Sequence, residues 1–174
     1  EKKTIYYDHA IFKFYDIPIF YTPKLFHPDP TVDRRSGFLP PVLSSSKNLG
    51  SGVTIPYFLA LDDDKNFTLT SKIFNKEHPL IIGEYQQAFK HSTLYTDFGY
   101  TEGYKNTSSV KKAGNKSHFL SKFIKEYNFN NSSRKIDIQV QNVSDDKYFK
   151  LYKIDSNLID FETNTLENSI EFTN

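Results

Sequence analysis

The chain has 174 residues, with 22 Lys+Arg against 21 Asp+Glu and a net charge of +1, so bulk charge gives no reason to bind nucleic acid. It has no Cys, which excludes a disulfide framework or a thiolate metal site within it. No run of about 18 apolar residues is present, which rules out a transmembrane helix, but a membrane β-strand needs only about 9–11 residues of alternating character. The chain begins Glu1-Lys2-Lys3 and holds no Met. The expectation is an excised segment, and no signal-peptide apolar core follows the lysines. Aromatics reach 16%, as 16 Phe and 12 Tyr, a content expected where rings line a sheet or a membrane interface.

Period-two alternation runs along the chain. Ala10, Phe12 and Phe14 share one face. Pro18 to Pro23 reads as a proline-punctuated strand. The stretch Arg34-Arg35-Ser36-Gly37-Phe38-Leu39 reads as a turn leading into a strand, and Ile55-Pro56-Tyr57-Phe58 falls in the next one. Phe67, Leu69, Ser71 and Ile73 alternate with Thr68, Thr70, Lys72 and Phe74. Leu94, Thr96, Phe98 and Tyr100 alternate with Thr93, Tyr95, Asp97 and Gly99. Phe119, Phe123, Tyr127 and Phe129 share a parity, as do Ile136, Ile138 and Val140. No stretch shows a sustained 3.6-residue period, so the expectation is an all-β, antiparallel chain.

The breakers also have an order. Asp62 to Lys65, Lys90 to Ser92 and Asn130 to Ser133 are tight polar turns. The alternate connections, Thr101 to Lys116 and the Ser144 to Asn157 region, are longer. If Phe38 opens the first strand, the short turns share an end with the incoming chain, as in outer-membrane barrels. The intervening connections Ser44 to Gly52 and Asn75 to Pro79 are only modestly longer.

Catalytic chemistry finds no footing. The five His residues (His9, His27, His78, His91, His118) are scattered without ligand spacing, so no metal site is expected. Asp62-Asp63-Asp64 lacks the EF-hand spacing and reads as a solvated turn. Asp145 and Asp146 would point to opposite faces of a strand and read better as a loop pair. Ser44-Ser45-Ser46 has no nucleophile-elbow context. No cofactor is expected and the chain does not read as an enzyme.

Several pieces, in order, resemble one family, the lipopolysaccharide-assembly outer-membrane proteins (LptD, also called OstA). Pro18, Ile19, Phe20, Tyr21 and Pro23 are similar to the last strand of the family's periplasmic jelly roll. Arg34, Arg35, Ser36, Gly37, Phe38 and Leu39, with Pro41 following, match its RR-x-GF-L domain junction. Ile55-Pro56-Tyr57-Phe58 stands where the family has PYYW, and Asn66 to Thr70 resembles its next strand. Val143 to Tyr152 resembles a segment of alphaproteobacterial members.

The resemblance implies that residues 1–33 end a periplasmic jelly-roll domain and residues 34–174 open a transmembrane outer-membrane β-barrel. It implies transport of lipopolysaccharide into the outer leaflet through a lateral gate, with Pro41, Pro56 and Tyr57 at the gate strands. The implied partners are lipopolysaccharide, outer-membrane lipid, the plug lipoprotein LptE and the periplasmic bridge protein LptA. The implied location is the cell outer membrane, with the N-terminal residues in the periplasm. Proline cannot donate to a ladder and weakens pairing where it sits. Arg34 and Arg35 could grip lipid phosphate, or pair with carboxylates such as Asp29 or Asp33. Ser36-Gly37 would supply the interdomain turn. Two other functions fit the residues: a passive porin-like channel, and a soluble carbohydrate-binding β-sandwich.

Overall fold

A computed structural model describes residues 4–14, 16–28, 34–108, 111, 114–129 and 132–173. Strands β1 (Thr4–Phe14) and β2 (Ile17–Pro28) form an antiparallel two-stranded sheet, with Asp16 at positive φ in the turn between them. The rest is one nine-stranded antiparallel sheet. Its members are β3 (Gly37–Phe38), β4 (Val42–Ser46), β5 (Gly50–Asp62), β6 (Lys65–Phe74), β7 (Leu80–Phe89), β8 (Ser92–Thr101), β9 (Lys116–Phe129), β10 (Ser132–Val143) and β11 (Ser169–Thr173). Each of β5 to β10 pairs with its sequence neighbours. β3 and β4 both lie along β5 at one edge, and β11 forms the other edge. The chain is all-β and antiparallel, as its alternation requires.

Register converts that alternation into two unlike faces. Tyr57, Leu69, Gly83, Phe98 and Phe119 stand opposite one another across β5 to β9. The neighbouring rows on that face hold Ile73, Ile81, Tyr100 and Val140. Phe98, Phe119, Tyr100, Ile81 and Val140 remain 42–50% exposed. Exposed apolar side chains gathered on one face in this way mark a membrane or partner surface. The opposite face carries Thr68, Glu84, Asp97, Lys122, Gln139 and Gln141. Strands β5 to β10 run 10–14 residues, enough to cross a hydrocarbon layer when tilted.

The turns Asp62–Lys65 and Phe89–Ser92 are the expected tight ones, and residues 130–131 lie outside the described residues. The long connections all fall at the opposite end. Residues 144–168 do not stay loop: Tyr148–Tyr152 forms a short helix, α1, ended by Lys153 in the left-handed region. Five residues give too few turns to show a helical period, so alternation could not reveal it. Tyr148, Phe149, Tyr152, Ile154 and Ile159 pack on Phe74, Leu80, Ile82 and Leu120 of the polar face, forming the core cluster at the long-loop end.

Candidate functional site

The edge nearest the incoming chain is broken in a definite place. Phe38 stands opposite Tyr57 and Val42 opposite Thr54, so Leu39, Pro40 and Pro41 face only Ile55 and Pro56. Three residues against two is a bulge, which bends and locally unpairs a strand. Pro41 therefore lies between β3 and β4 rather than inside a ladder. Pro56 lies within β5, where its carbonyl accepts from Leu39 N at 3.0 Å. In an antiparallel strand a residue's N–H and C=O point to the same neighbour. The N–H that Pro56 lacks would thus face Leu39, not β6. Pro41 and Pro56 meet at one break, while the β5–β6 register runs on unbroken through Pro56, opposite Thr70.

Tyr57 lies on the apolar face, its ring set edge-on to Phe38 with centroids 4.8 Å apart. Phe38 is 63% exposed, so the pair forms an aromatic ledge beside the break. Arg34 donates through Nη1 to the Asp63 carbonyl at 2.7 Å, and Ser36 Oγ accepts from Ala60 N at 2.9 Å. These contacts tie the incoming chain to the β5–β6 turn. Asp29 and Asp33, the carboxylates weighed as Arg partners, lie outside the described residues. Arg35 is half-buried. Gly37 is buried and paired with Phe58, and its φ is not positive. It enters the ladder directly.

A second cluster escaped the sequence reading. On the polar face the His118 ring lies between Asp97, with Nε2 to Oδ1 at 2.9 Å, and Tyr148 Oη at 3.1 Å from Nδ1. Gly99 makes room for it: a Cβ there would come within 2.5 Å of the imidazole. Lys116 pairs with Asp145, and Lys72 donates to the carbonyls of Tyr152 and Lys153 at 3.0 and 2.8 Å. Buried Glu77 receives Lys111 Nζ at 2.5 Å and Lys105 N at 2.8 Å. Burial of Asp145 works against its ionisation. Hydrogen bonds from Lys116 and from Lys147 N–H, with both ammonium charges, outweigh it and hold the carboxyl below its ordinary range. Burial pushes the Tyr152 hydroxyl up to about 12 and raises Tyr148 as well. Side-chain partners 21 to 81 residues apart leave no local signature.

No family model matches the chain. Among curated proteins, LPS-assembly protein LptD of Methylococcus capsulatus is 36% identical over 88 residues, 49% of this chain. LPS-assembly protein LptD of Pseudomonas putida is 37% identical over 79 residues, 44% of the chain. That of Francisella tularensis subsp. holarctica is 30% identical over 146 residues, 83% of the chain. These alignments span 8%, 8% and 15% of the relatives' own lengths. They do not bear on the alphaproteobacterial likeness of Val143–Tyr152. Taken with an all-β sheet that has one apolar and one polar face, they assign the family: the chain belongs to the LPS-assembly protein LptD family.

Proposed function

We propose that residues 34–174 open an outer-membrane barrel that delivers lipopolysaccharide to the outer leaflet, and that residues 1–33 end the periplasmic domain feeding it. The observation that carries this reading is the break at Leu39-Pro40-Pro41 opposite Pro56, set at a sheet edge beside an exposed apolar face. An edge strand with missing donors is the weakest seam in a barrel wall. Acyl chains crossing there would meet Phe38 and Tyr57. The polar face would line the lumen, where the plug lipoprotein LptE would sit, and LptA would join at the far end of the periplasmic domain. Arg34, Arg35, Ser36, Gly37 and Phe38 would form the domain junction at the periplasmic rim, with Arg34 and Ser36 holding the edge strand to the first hairpin. The role is transport rather than catalysis.

The test is photo-crosslinking in living cells, with a reactive residue at Tyr57 of the full-length protein. Lipopolysaccharide adducts that accumulate only while transport is powered are the expected outcome. A folded outer-membrane protein that gives no adduct would sink the gate and leave a passive channel.

A further inference from the structure

Away from the edge strand, Glu84 of β7 and Asp97 of β8 are direct cross-strand partners on the polar face. Like charges placed so are destabilising unless something lies between them. Asp97 is 2% exposed. Its Oδ1 is engaged by His118, while Oδ2, equally shielded from solvent, has no hydrogen-bond partner. A buried carboxylate oxygen left unmatched is among the costliest groups in a fold. Lys72 acts on Glu84 electrostatically, but its ammonium is already held by the carbonyls of Tyr152 and Lys153.

Both acids line a small recess between the sheet and the connection that follows α1. Gln86 and Tyr95 extend its wall, Ser156 and Asn157 cover it, and it has room for about one water-sized occupant. Its side-chain donors are two carboxylates with amide, phenol and hydroxyl oxygens, a set suited to a hard cation. Among the described residues no three His, Cys, Asp or Glu side chains converge as a metal group, so neutral oxygens and water would complete the coordination. Such mixed, irregular oxygen shells suit Ca²⁺ better than Mg²⁺, which demands a strict octahedron.

We infer that this recess binds a single divalent cation, Ca²⁺ for preference, between the carboxylates of Glu84 and Asp97, pinning the Ser156–Leu158 segment to the wall. The inference does not depend on the gate. It is tested on the full-length protein in detergent with Tb³⁺, a Ca²⁺ substitute whose emission is excited through a nearby tyrosine, here Tyr95. Tyrosine-sensitised emission displaced by Ca²⁺ is expected, and Glu84→Gln and Asp97→Asn should each weaken it by about tenfold or more. Neutralising Asp62, Asp63 and Asp64 together should leave it unchanged. Glu84 is only half-buried, so Glu84→Gln decides the matter if Asp97→Asn does not fold. Equal emission from wild type and Glu84→Gln, or loss confined to the turn variant, would overturn the site and leave a water in the recess.

Discussion

At the scale of single residues, the clearest lever is Asp145. Its carboxylate links the start of α1 to β9 through Lys116, and its depressed pKa fixes the sign of the pH response. A carboxyl that ionises more readily when folded adds stability above its ordinary range, about pH 4, and loses it as pH falls through the lower folded value. Amide exchange across Tyr148–Tyr152, corrected for intrinsic rates, should therefore accelerate as pH drops below about 4. Asp145→Asn should speed exchange at neutral pH and abolish that dependence. Its cost should be on the order of 1 kcal/mol, because the carboxylate keeps partial access to solvent. A variant whose exchange still follows pH in that window would move the effect to another acid.

At the scale of the element, the break in the edge strand makes a quantitative claim. Leu39 N already donates to the Pro56 carbonyl, so Pro56→Thr would supply the missing return donor to Leu39. Completing the pair is worth roughly 0.5–1.5 kcal/mol. The expected results are slower amide exchange at Leu39 and a lower yield of lipid adducts at Tyr57, with the barrel otherwise intact. If Leu39 exchange slows while adduct yield holds, pairing at the break does not govern passage. Most strands and the turns Asp62–Lys65 and Phe89–Ser92 were legible from alternation and polar turn clusters, whereas β7 and β11 were not singled out. Helix α1 was not legible, because five residues carry no period and its fold depends on the apolar side chains of the sheet it packs on.

For the molecule as a whole, the two faces of the sheet predict opposite tolerances. Val140 projects from the apolar face at 45% exposure, and Arg on a lipid-facing position near the bilayer midplane costs about 2–4 kcal/mol. Val140→Arg should lower the folded outer-membrane fraction, read as heat-modifiable mobility in a gel, while Val140→Ile should not. Equal folding of the two variants would mean that this face meets water or protein, and would revive the soluble-sandwich reading. Within this segment the sheet keeps two different edges, β11 and the broken β3–β4 strand. Unsatisfied edges are not tolerated in hydrocarbon, so the barrel proposed above would need a partner strand at each of these edges. The chain spans 8–15% of the length of these LptD relatives.

What the sequence determined by itself was the period, and with it the strands, the division of each strand into an apolar and a polar side, and the junction motif. These depend on residues one or two positions apart, where side-chain direction follows from backbone geometry alone. Only the tertiary structure decided that Pro56 lacks its donor on the side facing Leu39, since that depends on which neighbour each backbone group addresses. It also decided that His118, Asp97 and Tyr148 form one cluster, and that Glu84 and Asp97 stand side by side beneath a folded-over loop. Those contacts join residues separated by whole strands. Register and loop packing fix them, and neither is written in local alternation.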